Sequence, residues 1–434
     1  MNWTASLLSC AALLGTSLLP AQSNPWKWQE DPIPDVGIDL DKAQVVRVTS
    51  LATKGKGSLR EALKVPGPKL IVFEVGGVID LEMKGLELHE PQTHLAGQTA
   101  PAPGITLIRG GLSVEASQVV VQHLRVRPGD AGQAKQSGWE PDSITTSGGP
   151  EDVWFDHCSA TWSVDENMSA STYKSPTGRP ARRIHMRDCI IAEGLHDSSH
   201  AKGPHSKGTL VFGGTQEVAI VRCLYSSQVE RNPVFQPGTS GVVVNCVIAN
   251  PGDRAIHAHE PDAEARQAGF TKARLAVVGN VVLFGEKSKR SARSIFEGVA
   301  DAYFKDNEGY DWFGSPLQLL RQEFPLQAQP PVWPEGLQPL TATGAIWHLT
   351  RYAGARPAER DAIDQRIVPE AFAGTARIIN SQDEVGGYPK TQPVTRALTV
   401  PDSKRKAWLE KLAVEVTYGA EGLPKSLQQP AKAK

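Results

Sequence analysis

Val153-Trp-Phe-Asp-His-Cys158, Ile184-His-Met-Arg-Asp-Cys189, Ala219-Ile-Val-Arg-Cys223 and Val242-Val-Val-Asn-Cys246 are four short apolar runs, each closing on a cysteine. Val119-Val-Val-Gln-His-Leu124 precedes them with the same shape, and Ala276-Val-Val-Gly-Asn-Val281 follows. The intervals between their last residues are 34, 31, 34, 23 and 35. β-Branched and aromatic residues favour extended chain, and a strand that recurs while its connections vary in length marks a solenoid. A propeller would repeat several strands per unit at a more even spacing. The connections are long enough for parallel crossovers, which are right-handed in nearly all cases. The expected fold is all-β: a right-handed, single-stranded parallel β-helix. Coils stacked about 4.8 Å apart align equivalent side chains in ladders, so Cys158, Cys189, Cys223 and Cys246 share one ladder position. They are read as reduced thiols packed like small apolar groups, with disulfides between neighbouring coils as the alternative. Asn245 and Asn280 are placed in the turn before it, where asparagine tolerates the left-handed conformation.

Outward from this repeat, Gly57-Ser-Leu-Arg-Glu-Ala-Leu63 reads as a short amphipathic helix capped by Ser58, closing the open end of the first coil. Leu70-Ile-Val-Phe-Glu-Val-Gly-Gly-Val-Ile-Asp-Leu81 then enters the sheet. After Phe304 the pattern fades, and Ala407 to Val416, with Trp408, Leu409, Leu412 and Val416, returns to helical spacing. The expected organisation is a signal peptide over 1–23, the β-helix over 24–320, an extension packed along it over 321–424, and a disordered tail over 425–434. The apolar stretch from Ala5 to Leu19, followed by Ala21-Gln22-Ser23, is too short to span a bilayer and suits an export signal. A secreted or periplasmic monomer is expected, without a membrane span. The 434 residues carry a formal net charge of −1, which gives no footprint for nucleic acid or an anionic membrane. An acidic polymer would need a local basic site.

Several of these segments resemble the pectate lyases of polysaccharide lyase family 1. The resemblance rests on Gly57-Ser-Leu-Arg-Glu-Ala62, the run from Val72 to Leu81, Leu95-Ala-Gly-Gln-Thr99, Val153-Trp-Phe-Asp-His-Cys158 and Arg231-Asn-Pro233. Arg377-Ile-Ile-Asn-Ser-Gln-Asp-Glu-Val-Gly-Gly387 is similar to a segment of bacterial members. The resemblance implies cleavage of α-1,4-linked polygalacturonate (pectate) by β-elimination. That chemistry removes a carbon-bound proton beside a carboxylate, so it needs a base and a neutraliser for the developing enolate. Calcium, a hard cation taking carboxylate oxygens, suits the second task.

The resemblance assigns the metal ligands to Glu140, Asp142 and Asp165, with Ser169 standing where a further acid is expected. Glu166 would substitute only if the local turn departs from strand alternation. Arg231 aligns with the base, although an arginine base needs an unusual site because its pKa lies above about 12; by spacing alone it reads as a carboxylate clamp. Lys207 aligns with a substrate-binding lysine, and Gln236 with a substrate-gripping arginine. His200 and His205 fall in a Gly- and His-rich loop and read as unspecialised loop residues, with a general base or a metal ligand as the alternative; His157 reads as a hydrogen-bonded structural residue. The losses at Ser169 and Gln236 keep open a β-helix that binds acidic polysaccharide without cleaving it. A hydrolase would need two carboxylates flanking the scissile bond, and nothing around Arg231 requires such a pair.

Overall fold

A computed structural model describes residues 25–173, 175–289, 293–419 and 422. The signal peptide and the disordered tail expected from the sequence lie outside the described residues. Each coil contributes one strand to each of three sheets, of ten, nine and ten strands. All strand pairs are parallel except Val394–Thr395, which runs antiparallel to Val75–Asp80 at one sheet's end. This is the parallel β-helix expected from the repeat.

The apolar runs quoted above stack in one sheet in the register the cysteines imply: Phe155 pairs with Val121 and Met186, and Ile220 with Val243. Val121, Phe155, Met186, Ile220 and Val243 face the interior. Their neighbours Val120, Trp154, Ala219 and Val242 face outward, yet are buried under Trp26, Trp28, Val36 and Leu337. Burial on both faces explains why the runs are almost continuously apolar rather than alternating.

Among the described residues five α-helices flank the coils: α1 (Leu59–Leu63), α2 (Ala263–Gln267), α3 (Ala342–Tyr352), α4 (Ala362–Ala373) and α5 (Arg405–Tyr418). Ser58 caps α1 as expected, accepting from the Glu61 N–H. α3 and α4 cover the second ten-stranded sheet through Leu349, Ile363 and Ile367, which pack on Ile190, Leu224 and Val247. α5 lays Leu409 and Ala413 on Leu70 and Val72. Among the described residues no buried apolar cluster lies over the nine-stranded sheet. That sheet is the face left open.

The four cysteines are buried free thiols in line: the Cys158 N–H donates to Cys189 Sγ at 3.5 Å, and the Cys223 N–H to Cys246 Sγ at 3.4 Å. The next coils continue this line with Asn280 and Asn307, and the Cys246 N–H donates to Asn280 Oδ1 at 2.9 Å. Asn280 therefore occupies the cysteine position, one residue later than the sequence suggests. The left-handed position before it is held by His123, His157, Asp188, Arg222, Asn245 and Gly279 in turn. The amide side chain at 280 satisfies inward-facing backbone groups, so it stays where a thiol would otherwise pack.

Candidate functional site

The sequence-predicted residues gather at the turns that lead into the open sheet. Asp142 stands just before strand Ile144–Thr146, Asp165 and Glu166 before Met168–Ser171, Lys207 before Leu210–Phe212, and Arg231 before Val234–Phe235. Parallel bridges join Glu166 to Lys207 and Lys207 to Glu230, which sets these turns in successive rungs. Arg231 thus starts two rungs, roughly 10 Å, from Glu166, a gap its long side chain spans.

Asp142, Asp165 and Glu166 each offer an oxygen, all within 4.8 Å of one another. Asp165 and Glu166 are neighbours in sequence and still reach one cluster, because residues 164–165 bend before the strand begins and alternation does not yet apply. The Glu166 N–H donates to Asp142 Oδ1 at 2.9 Å, locking the two turns together. Burial, and then the charge of Asp165, push the Asp142 carboxyl well above the usual carboxylate range. Burial acts the same way on Asp165, but its hydrogen bond to His205, at 2.8 Å, holds its carboxyl low. Glu140 is not brought into this group. Its carboxylate lies 3.3 Å from His200 Nδ1 and accepts from the Ala201 N–H at 3.2 Å.

His200 and His205 stack with centroids 3.7 Å apart and planes at 14°. Asp165, His200 and His205 form a second group whose donor atoms lie within 4.8 Å of one another, and His205 Nε2 sits 2.8 Å from Asp165 Oδ1, so the pair also orients Asp165. A third grouping, Asp156, His157 and Asp188, sits at the edge of the apolar sheet. Arg187 and Arg222 already occupy its carboxylates, and His157 Nδ1 meets Asp156 Oδ1 at 2.9 Å. His157 has the structural role its position suggests.

Arg231 contacts the buried Glu166 carboxylate through Nη1. Burial lowers the guanidinium's hold on its proton, opposed by the charges of Asp165 and Asp142. Its backbone takes a left-handed φ of 63°, and its carbonyl accepts from the Thr209 N–H at 2.6 Å. The approach depends on Gly208, where a Cβ would lie 2.4 Å from the Arg231 carbonyl oxygen. Lys207 is buried and ion-paired with Glu230, whose second oxygen is 3.4 Å from Arg254. Gln236 sits one turn away, its amide 3.1 Å from His259 Nδ1. Ser169 is buried in the strand beside Thr145, its hydroxyl 3.4 Å from the Leu210 N–H.

Sequence reasoning missed Glu230, although it precedes Arg231 directly; strand alternation would have sent it to the opposite face. It also missed an open groove of about 400 Å³ that runs from Asp142, Asp165 and Glu166 past Thr145 and Ser171 to Tyr173 and Phe212. Nothing in the sequence marks those two aromatic rings as exposed.

No family model matches the chain. It is 27% identical over 401 residues to a protein of Aspergillus flavus named "Probable pectate lyase C", spanning 89% of this chain and 86% of that one. The protein of the same name from Emericella nidulans is 29% identical over 353 residues, 78% of this chain and 74% of that one. Among solved structures, that of jun a 1, the major allergen from cedar pollen, is similar with a TM-score of 0.52 at 14% identity, covering 73% of this chain and 90% of that chain. That likeness speaks for the fold.

Proposed function

We infer that the chain is a polysaccharide lyase that cleaves polygalacturonate by β-elimination, the class of activity for which its fungal relatives are named. The observation that carries this reading is the meeting of Asp142, Asp165, Glu166 and Arg231 on the one sheet left uncovered. We further propose membership of polysaccharide lyase family 1, on the motifs around Asp156 and Arg231.

A calcium ion suits the carboxylate cluster. Three oxygen donors of hard character lie close together, and burial, followed by the charge of Asp165, disfavours the ionised Asp142 carboxylate, a cost that a divalent cation would offset. Asp142, Asp165 and Glu166 would hold it, with Glu166 supplying the charge that Ser169 lacks. When bound, calcium draws electron density from the substrate's uronate carboxylate and so acidifies the neighbouring C5 proton.

The chain's own residues do the rest. His205 fixes Asp165 in position, and the Glu166 N–H fixes Asp142. Arg231, with its pKa lowered by burial, takes the C5 proton in its neutral form. The electron pair left behind forms the C4–C5 double bond as the C4–O bond to the leaving sugar breaks. We propose that Lys207 and Gln236 contact neighbouring sugar units, which would keep the reacting unit over Arg231.

Non-catalytic binding of acidic polysaccharide has support in the uncharged side chains at Ser169 and Gln236. Incubation of the protein with polygalacturonate, with and without calcium, decides between the two. Unsaturated uronide products are expected with calcium. Binding without any such product would leave the binding role alone.

A further inference from the structure

We propose that Asp165, His200 and His205 form a second metal site, for a divalent transition-metal ion of the zinc class. It shares one carboxylate with the calcium cluster and differs from it in chemistry. Occupation of this site does not require the lyase reading, since the ion binds without substrate.

The first observation is the donor set. Asp165, His200 and His205 each offer one atom, all within 4.8 Å of one another. Calcium takes oxygen ligands, whereas two imidazoles and a carboxylate suit zinc and its neighbours. Around a tetrahedral zinc, with bonds of about 2.0–2.1 Å, ligand atoms stand roughly 3.3–3.5 Å apart. Asp165 Oδ1 lies 2.8 Å from His205 Nε2 and 3.8 Å from His200 Nε2, so the two separations bracket that value. The stacked rings splay when both nitrogens turn to one ion. Three protein ligands leave a fourth position for water.

The second observation is the support around the rings. Both imidazoles are buried, while the Asp165 side chain is 32% exposed and gives an ion its way in. His200 Nδ1 lies 3.3 Å from Glu140 Oε2. A carboxylate on the far nitrogen is the arrangement that orients a metal-ligating histidine and makes it more basic. That nitrogen also meets the Lys202 N–H at 3.1 Å; with an ion on Nε2 it carries the proton and donates to Glu140 instead. The loop is tied internally and to its neighbour. The His205 N–H donates to the His196 carbonyl at 2.8 Å, the Gly203 N–H to that of His200 at 3.0 Å, and the Gly138 N–H to that of Ser199 at 2.9 Å. A loop so held loses little freedom on binding. Glu140 and Asp165 supply negative charge at the site, against which Lys202 and Arg231 act.

Asp165 belongs to both groups, so an ion at the histidines draws it away from Asp142 and Glu166. Zinc and calcium therefore oppose one another, and the opposition is reciprocal.

The test is calorimetric titration of the untagged full chain, freed of metal by a chelator, with zinc alone. One ion per chain is expected to bind saturably, and excess calcium should weaken it at least about fivefold. His200→Gln and His205→Gln should each weaken it by more than about tenfold, and Glu140→Gln, at a half-exposed side chain, by about tenfold. Circular dichroism checks that each variant is folded. Absence of saturable zinc binding by the wild type overturns the proposal, as does an affinity that neither histidine substitution nor Glu140→Gln lowers. Equal zinc affinity with and without calcium would overturn the sharing of Asp165. None of these outcomes touches product formation from polygalacturonate, on which the lyase reading stands or falls separately.

Discussion

Arg231 is asked to be basic in a place that also holds three carboxylates. It can do so because burial works against its charge, while the carboxylate nearest to it, Glu166, is itself drawn into the Asp142–Asp165 cluster. Arg231→Ala should lower product formation by roughly 10²–10⁴-fold with the circular dichroism spectrum unchanged; full turnover in that variant would remove it from the chemistry. Asp142→Asn should abolish most of the rise in Tm that calcium gives the wild type, read by thermal denaturation with and without the ion. An equal rise in both proteins would place calcium elsewhere. At this scale it was the family resemblance, rather than spacing, that singled out Asp142, Asp165, Lys207 and Arg231. Glu166 and Glu230 were passed over, because each adjoins a chosen residue, and the rule that neighbours point apart holds only inside regular strands. Glu140 was selected by the resemblance, but its turn carries it to His200 instead.

The turn holding Arg231 depends on an element that has no chemistry of its own. Gly208 lets the strand approach the Arg231 carbonyl, so Gly208→Ala should push that turn outward. Activity is expected to fall at least tenfold, the scale of effect expected from displacing a positioned group by about 1 Å, while Tm falls only slightly. An unchanged rate would show that the turn has slack. The cysteine ladder makes a different prediction. Burial pushes the thiols of Cys158, Cys189 and Cys223 well up, and all four side chains are enclosed. A thiol reagent should therefore label none of them in the folded protein and all four after denaturation, with no change in Tm on adding a reductant. The ladder was readable because its side chains repeat at one position of every coil. Helices α3 and α4 were not read, since their worth lies in covering Ile190, Leu224 and Val247 on a sheet far away in sequence.

Across the molecule, the segment around residues 26–36 and helix α5 close over a buried charge network on the face opposite the groove. Arg187 meets Asp156 and the carbonyls of Gln29 and Asp31; Arg222 meets Asp188 and Glu30; His348 reaches Asp188 at 2.7 Å. Despite burial, these cations hold the carboxyls of Asp156 and Asp188 below their ordinary range. Such groups add stability above the ordinary carboxylate pKa, and the contribution is lost as pH falls through their lowered values. Arg222→Ala leaves Asp188 buried without its main partner and should cost about 3–5 kcal/mol in urea unfolding. A loss below about 1 kcal/mol, the range of an exposed pair, would mean that water enters the network freely. The sequence by itself determined the solenoid and its cysteine ladder, because strand periodicity and coil spacing are local properties that repeat; the charged residues of the working face were singled out by the family resemblance. Only the tertiary structure decided which of three similar sheets stays open, which carboxylates meet, and that Arg231 and Lys207 meet Glu166 and Glu230. Those outcomes depend on chain segments more than a hundred residues apart covering two sheets and leaving the third, and on turns whose direction no local pattern encodes.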